Sequence, residues 1–180
     1  ANVAKVVVAK TPRVGVLANG DELVAPGSEL APGQIVNSIQ PALLALVRRW
    51  GAIPVDLGLS RDTEEDVRKR LAAPCDIIVS IGGASVGDYD VVRTAFAAEG
   101  FTPIFEKVAV KPGKPTWFST SPNALALGLP GNPAAAMVTA QLFLRPLIDA
   151  LTGASTSAKQ PARAHTVTAL PKAGNRAEYL

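Results

Sequence analysis

The sequence predicts an α/β fold whose core is a three-layer, doubly wound and mostly parallel sheet, and three observations lead to this prediction. Short runs of β-favouring apolar residues alternate along the chain with segments whose apolar residues recur at helical spacing. The run CDIIVSI at 75–81 is almost continuously apolar, as in strands that are buried on both faces of a parallel sheet. Of the 180 residues, 48% are hydrophobic, which is enough for one substantial core.

Local signals mark where the predicted helices begin and bend. Asn37 offers an N-cap, and Thr63 with Asp66 has the pattern of a capping box. Pro133 stands where proline is favoured in a first turn, and Pro146 is expected to kink the same helix. Strands are predicted at 13–18, 52–59, 75–81 and 124–129, helices at 37–51, 62–73, 90–100 and 133–151, and β-rich runs at 101–110 and 115–120 on either side of a tight KPGK turn.

Composition divides the chain into three parts. Residues 13–153 are expected to form the main α/β domain. Residues 1–12 are interpreted as a strand leading in from preceding domains, since the chain begins without Met. Residues 154–180 open with ASTSAKQPAR, typical of a linker, and continue with a strand-like alternation that predicts the start of a small β-domain. The sequence is therefore expected to be a piece of a longer protein.

Composition and charge also exclude several classes of function. A single cysteine, Cys75, rules out an internal disulfide and a cysteine-cluster metal site, and a single histidine, His165, disfavours a histidine-based triad. The net charge is +3 and the basic residues are scattered, so no nucleic-acid partner is expected. No apolar run approaches the roughly 18 uninterrupted residues of a membrane span, so no membrane is expected and a cytoplasmic location is predicted.

The glycine-rich stretch SIGGASVGDYD at 80–90 is the most informative loop. It joins a predicted buried strand to a helix, and the free amides and dipole of a helix N-terminus favour an anion. Three glycines, at 82, 83 and 87, exceed what a turn needs, and Asp90 adds a carboxylate able to hold a cation. The alternative interpretation is a packed turn in which Asp90 only caps the helix.

Four other loops carry polar residues beside predicted strand ends, where doubly wound sheets bind ligands. NGDEL and SRDT contribute Glu22 and Asp62, although a solvated acidic turn and a helix cap would explain them equally. In KPGKP at 111–115, prolines restrict the backbone around Gly113, so its two lysines form a pair of cations suited to an oxyanion, or simply an exposed hairpin. GLPGNP at 128–133 is a rigid turn before a helix. Together these loops predict one composite anion pocket.

The chain carries six motifs in this order and with these gaps: GDEL, PG..L..GQI.NS, RD at 61–62, D.I.S.GG.S.GDYD, KPGKP and GLPGNP. On these motifs it closely resembles the MoeA-type molybdenum insertases (molybdopterin molybdenumtransferases), which include the gephyrin E domain. The resemblance covers residues 13–153. The C-terminal stretch RAHTVTALPKAGNRAEYL is similar to the start of that family's C-terminal β-domain. The resemblance implies the molybdopterin-binding fold, which the family shares with the adenylyltransferases of the preceding step.

The resemblance also implies a reaction and its residues. The family inserts molybdenum from molybdate into adenylylated molybdopterin and releases AMP in the presence of Mg²⁺, generally as a homodimer, and contact with a molybdopterin adenylyltransferase is an additional expectation. By motif, the catalytic acids are Glu22, Asp62 and Asp90, of which Asp62 and Asp90 are the expected metal ligands. The substrate-binding residues implied by the same motifs are Gly82, Gly83, Ser85, Gly87, Lys111, Gly113, Lys114, Pro130, Gly131 and Asn132.

At several positions the chain differs from the family pattern. Ala18 and Asn19 replace a common Ser/Thr-Thr, Ile39 replaces a second Asn, and Ala134 with Ala135 replaces Val-Ser after GLPGNP. These differences leave alternatives open: a module that binds molybdopterin without inserting metal, a related adenylyltransferase, or a scaffold without pterin affinity.

Overall fold

A six-stranded sheet between two layers of helices forms the body of the protein, and the three-layer prediction is confirmed. The computed structural model describes residues 3–83, 90–154, 165, 167–170 and 174–179. The strands are β1 (Arg13–Asn19), β2 (Leu23–Val24), β3 (Ile35–Val36), β4 (Ile53–Ser60), β5 (Ile77–Ile81), β6 (Thr102–Phe105), β7 (Val110–Lys111), β8 (Trp117–Thr120), β9 (Leu125–Leu129) and β10 (Ala177–Glu178). The helices are α1 (Ile39–Arg49), α2 (Glu64–Leu71), α3 (Val91–Ala98), α4 (Pro133–Thr139) and α5 (Arg145–Leu151), with a π-helical turn at Ala140–Leu144.

The strand order in the main sheet is β4-β1-β5-β9-β8-β6. Strand β1 pairs in parallel with β4 on one side and β5 on the other, and β5 pairs in parallel with β9. Only β8 runs against its neighbours β9 and β6. The chain leaves β1 towards β4 and then returns to β5, so the topological switch point lies between β1 and β5, where such sheets bind ligands.

Each central strand is buried on both faces, which explains the continuous apolar runs of the sequence. Along β1, Val16 packs in the core beneath α1 and the helical run 133–151, whereas Leu17 packs in the opposite core beneath α2 and α3. The second core includes Phe96 and Trp117, whose rings meet edge to face with centroids 5.2 Å apart. The two cores hold the strand ends of the sheet in fixed positions.

The helical run Pro133–Leu151 is, by length and composition, apolar enough to cross a membrane. Its side chains at Ala136, Ala140, Leu144 and Ile148 are completely buried against the sheet, which accounts for its apolar character as that of a core helix. A π-helical turn directly precedes Pro146, which has no N–H for the normal helical hydrogen bond. A kink was expected at Pro146, and the helix is irregular about one turn before this proline.

The flanking segments differ from the sequence prediction. The β-rich run expected at 101–110 divides into β6 and the two-residue β7, and β7 pairs with β10 rather than with β8. The described residues 3–12 contain no strand, although one was expected there. Most of the predicted linker after residue 154 lies outside the described residues. The domain boundaries at 12 and 154 stay predictions.

Candidate functional site

A cavity of about 540 Å³ opens at the carboxyl edge of the sheet, at the switch point between β1 and β5. It is bordered by the ends of β1, β5 and β9 and by the beginnings of α1 and α3, because parallel strands all end at this edge. Six residues predicted as site residues line it: Glu22, Asp62, Gly82, Gly83, Pro130 and Gly131.

The glycine loop after β5 lies on the floor of this cavity. Gly82 has φ +82°, and a Cβ there would stand 2.6 Å from the backbone oxygen of Asn19. Gly83 has φ +65°, and a Cβ there would collide with Val92 of α3. A Cβ on Gly131 would come within 3.6 Å of the Cα of Gly82, so the two glycine turns meet. The other two residues predicted in the loop, Ser85 and Gly87, lie outside the described residues.

Asp62 is held at the cavity by a buried amide. Asn19, the last residue of β1, is 4% exposed, and its side-chain NH₂ donates to Asp62 Oδ1. The amide oxygen of Asn19 accepts a hydrogen bond from the Ser60 hydroxyl at 2.8 Å. The N-cap of α2 is Thr63, whose hydroxyl accepts from the backbone of Asp66 as the capping-box pattern predicted. Asp62 is therefore not needed as the cap, and its carboxylate faces the cavity.

Glu22 lines the same cavity from the loop after β1. Its carboxylate folds back over Gly20, where a Cβ would stand 2.6 Å from Glu22 Oε2. The neighbouring Asp21 accepts a hydrogen bond from the backbone N–H of Asp62 at 3.2 Å, which ties this loop to the end of β4. The two predicted acids at 22 and 62 thus share one cavity wall.

Asp90 has different surroundings. It is 8% exposed and is the N-cap of α3, with Oδ1 accepting from the backbone N–H of Arg93 at 3.1 Å. Its Oδ2 forms a salt bridge with Arg93 Nε at 2.6 Å. Its neighbours Val91 and Val92 line the cavity, but Asp90 itself does not. The structure therefore places Asp90 as a helix cap and ion-pair partner, and its predicted metal ligation stays a prediction.

The KPGKP loop reaches the same edge of the sheet by another route. The loop leads into β8, whose first residue, Trp117, pairs with Gly128 near the end of β9. Because β8 is antiparallel to β9, β8 begins at the edge where the parallel strands end. Pro115 lines the cavity, whereas the exposed Lys111 and Lys114 lie outside its lining. Gly113 is buried, with φ +127°, and a Cβ there would collide with the buried Thr139 of α4.

Lys111 is paired with a carboxylate from the far end of the chain. Its ammonium lies 3.3 Å from Glu178 Oε1. Glu178 also accepts a hydrogen bond from the backbone N–H of Gly174, and this bond, followed by the one from Lys111, lowers the pKa of the Glu178 carboxyl below its ordinary value. Sequence reasoning did not anticipate this pair, which joins residues 67 positions apart.

The turn after β9 prepares the start of α4. Asn132 is the N-cap, and its side-chain oxygen accepts from the backbone N–H of Ala135 at 3.1 Å. Pro130 is buried and Gly131 is exposed, and both line the cavity. The structure gives Asn132 a capping role and leaves the neighbouring turn facing the cavity.

Sequence reasoning missed the buried amides behind the cavity. Asn37 lines it, and its side chain exchanges hydrogen bonds with Gln40, which in turn donates to the backbone oxygen of Val16 at 2.8 Å. Gln40 is 5% exposed and also donates to Asp56 Oδ1 and to the backbone of Gly58 where β1 and β4 shift register. Asn19 is a polar residue at the end of an apolar strand. Because a buried polar group needs a hydrogen-bond partner, this position could have predicted a polar contact at the cavity.

Comparison with known proteins identifies the family of this chain. Residues 15–150 match the family model described as the probable molybdopterin binding domain. The chain belongs to this family. Among relatives, a molybdopterin molybdenumtransferase from Nostoc sp. is 44% identical over 156 residues, and that from Haemophilus influenzae is 38% identical over 152; each alignment covers 83% of this chain. The chain spans 36% and 37% of the length of these two relatives.

Solved structures of the molybdopterin-binding family have the same fold. The molybdopterin biosynthesis MoeA protein from Pyrococcus horikoshii aligns with a TM-score of 0.71 at 29% identity, over 79% of this chain and 36% of that one. Molybdenum cofactor biosynthesis protein B aligns with a TM-score of 0.61 at 15% identity, over 81% of this chain and 96% of that one. The second likeness, at 15% identity, shows the fold alone.

Proposed function

We propose that this chain is the central, substrate-binding part of a molybdenum insertase, which transfers molybdenum from molybdate to adenylylated molybdopterin with release of AMP. The single observation that supports this most strongly is the cavity at the β1/β5 switch point, which is lined both by the acidic residues Glu22 and Asp62 and by two glycine turns. Carboxylates suit a cation and glycine turns suit a phosphate, so the cavity has the chemistry that a pyrophosphate-linked substrate requires.

The residues in the cavity fit a magnesium ion that is only partly held by protein. Mg²⁺ is usually bound by one or two carboxylates together with substrate phosphate oxygens. Asp62 and Glu22 supply two carboxylates, and no group of three acidic, histidine or cysteine side chains converges anywhere in the described ranges. When bound, the cation would neutralise negative charge on the pyrophosphate. To serve as the predicted second ligand, Asp90 would have to release its salt bridge with Arg93 and bind the metal instead.

The chain's own residues supply binding and orientation. Gly82, Gly83 and Gly131 keep the cavity floor free of side chains, so backbone amides can approach phosphate oxygens closely. Asn19 fixes the orientation of Asp62. Lys111 and Lys114, at the same edge of the sheet, are assigned to the oxyanion because an ammonium attracts a tetrahedral dianion without needing a fixed geometry.

The proposal is tested by measuring AMP release from adenylylated molybdopterin in the presence of molybdate and Mg²⁺. Because the chain covers about a third of its relatives' length, the assay uses the protein with any flanking domains of its native gene. Glu22→Gln is expected to lower AMP release at least about tenfold, since it removes one of two cavity carboxylates. The matched control is Glu29→Gln, the same change at an exposed position in the next loop, between β2 and β3.

Equal rates in Glu22→Gln and Glu29→Gln would contradict the assignment of the cavity. Tight pterin binding without AMP release would instead favour a binding or sensing module, and ATP-dependent formation of the adenylate would favour an adenylyltransferase. Absence of pterin affinity would leave only a scaffold role. Homodimerisation, contact with an adenylyltransferase and a cytoplasmic location form part of the proposal, and sedimentation, co-purification and cell fractionation test them in turn.

A further inference from the structure

Strand β10 attaches the C-terminal part of the described chain to the KPGKP loop. The backbone N–H of Ala177 donates to the oxygen of Ala109 at 2.9 Å, and that of Tyr179 donates to the oxygen of Lys111 at 2.8 Å. These bonds place Glu178 beside Lys111 in the parallel register of β10 and β7. Backbone hydrogen bonds therefore hold the two residues side by side, in addition to the ion pair between their side chains.

The two partners of this ion pair are held to different degrees. The Glu178 side chain is 20% exposed, and its Oε1 accepts from both Lys111 Nζ at 3.3 Å and the backbone of Gly174 at 3.4 Å. The Lys111 side chain is 55% exposed and ends a flexible stem. Lys114, in the same loop, forms no ion pair with any part of the chain that the structure describes. The carboxylate is thus the anchored partner and the ammonium is the one able to turn away.

We propose that Glu178 is an autoinhibitory partner of Lys111, which occupies this ammonium until a tetrahedral oxyanion displaces it. The inference rests on the proposed oxyanion role of the KPGKP loop. An ammonium carries three donors and no acceptor, so a carboxylate and an oxyanion compete for the same charge. An ion pair this exposed is weak, so a dianion that also meets Lys114 can exchange with it readily. Glu178 thereby lowers the affinity of the unloaded site for anions.

The test is calorimetric titration of the 180-residue chain with molybdate, and with inorganic phosphate as a second probe. Glu178→Gln is expected to bind molybdate up to about fivefold more tightly at low salt, which is the factor that an exposed ion pair can supply. The gain is expected to shrink at about 1 M salt, where the Debye length is about 3 Å. In a Lys111→Gln background, Glu178→Gln is expected to have no effect.

Glu99→Gln is the control, because it removes the same charge from an exposed ion pair, with Arg68, elsewhere on the surface. Unchanged or weaker molybdate binding by Glu178→Gln, or an equal gain without Lys111, would overturn the inference. If the protein releases AMP but Glu178→Gln does not change its affinity for molybdate, this inference is wrong and the insertase proposal stands. If Glu178→Gln raises the affinity but the protein releases no AMP, the inference stands and the insertase proposal is wrong. If no variant binds molybdate, both are contradicted.

Discussion

The start of the glycine loop, at Gly82 and Gly83, and the KPGKP loop lie at the same edge of the sheet, but they are supported very differently. The first follows a strand that is completely buried, and a Cβ on Gly82 or Gly83 would collide with Asn19 or Val92. The second stands between a two-residue strand and β8, and its lysines are exposed. This loop is attached to the core at Gly113, which lies against Thr139 and whose backbone oxygen accepts a hydrogen bond from the buried Thr116 hydroxyl at 2.8 Å.

This contrast indicates a division of labour between the two loops. Backbone packed against the core, as at Gly82 and Gly83, is held at a fixed position, which suits a phosphate bound by amides. A loop that carries exposed lysines presents charge on mobile stems, which suits an anion that must enter and leave. Substitutions in the first loop should therefore affect stability, and charge changes in the second should affect anion binding with little effect on folding.

The largest effect is expected from Gly82→Ala. A Cβ at this position would stand 2.6 Å from a backbone oxygen in β1, which cannot turn aside as a side chain can, and φ is +82°. Backbone strain and overpacking together predict a loss of about 4 kcal/mol in the free energy of unfolding. Denaturant unfolding measures it.

Gly33→Ala is the matched control for this change. Gly33 has nearly the same φ, +85°, but lies in an open loop where a Cβ would meet nothing within 4 Å. Its loss should be about 1 kcal/mol, from backbone conformation alone. Equal losses at the two positions would show that close contact with β1 does not constrain the glycine loop.

Gly113→Ala tests the packing of the KPGKP loop against α4 and should cost about 2 kcal/mol in the free energy of unfolding. The cause is collision with the Thr139 methyl group. Adding Thr139→Ser removes this methyl but keeps the hydroxyl that donates to the backbone oxygen of Ala135 at 2.7 Å. The double variant should recover about half of the loss, because φ at 113 stays unfavourable. No recovery in unfolding experiments would contradict the contact.

The smallest effect concerns Glu178, whose pKa is lowered chiefly by the backbone N–H of Gly174 and then by Lys111. Since the folded pKa lies below the unfolded one, the stabilisation is present above the ordinary glutamate pKa and is lost as pH falls through the lowered folded value. An NMR titration should show the pKa of this carboxyl below the ordinary glutamate value, with Lys111→Gln raising it. A pKa unchanged by Lys111→Gln would mean that the ion pair is absent in solution.

Much of the fold was predictable because its determinants are local. The Thr63 capping box, the Pro133 helix start and the apolar run ending at Ile81 all occur where expected. The run at 101–110 was predicted less well, because its last residue belongs to β7, whose pairing partner β10 lies more than 60 residues away and is recorded by no periodicity. An irregularity was expected in the last helix from Pro146, but its π-helical form and its position at 140–144 were not predicted.

The candidate site was predictable to the extent that its loops follow strands. Glu22, Asp62, Gly82 and Gly131 meet at one cavity because parallel strands end at one edge of the sheet. Asp90 was expected to bind a metal. Its carboxylate instead accepts a hydrogen bond at the N-terminus of α3 and pairs with Arg93, three residues further along the chain. Spacing alone does not distinguish a cap from a ligand.

By itself, the sequence determined the order of strands and helices, the family and the loops that carry glycine, acid and lysine. Periodicity and capping act over a few residues, so they can be read along the chain. Only the tertiary structure decided that Asn19 holds Asp62, that Gly82 packs against β1, and that Glu178 reaches Lys111. These contacts join residues 43 to 67 positions apart, and such contacts depend on sheet order and packing, which no local pattern encodes.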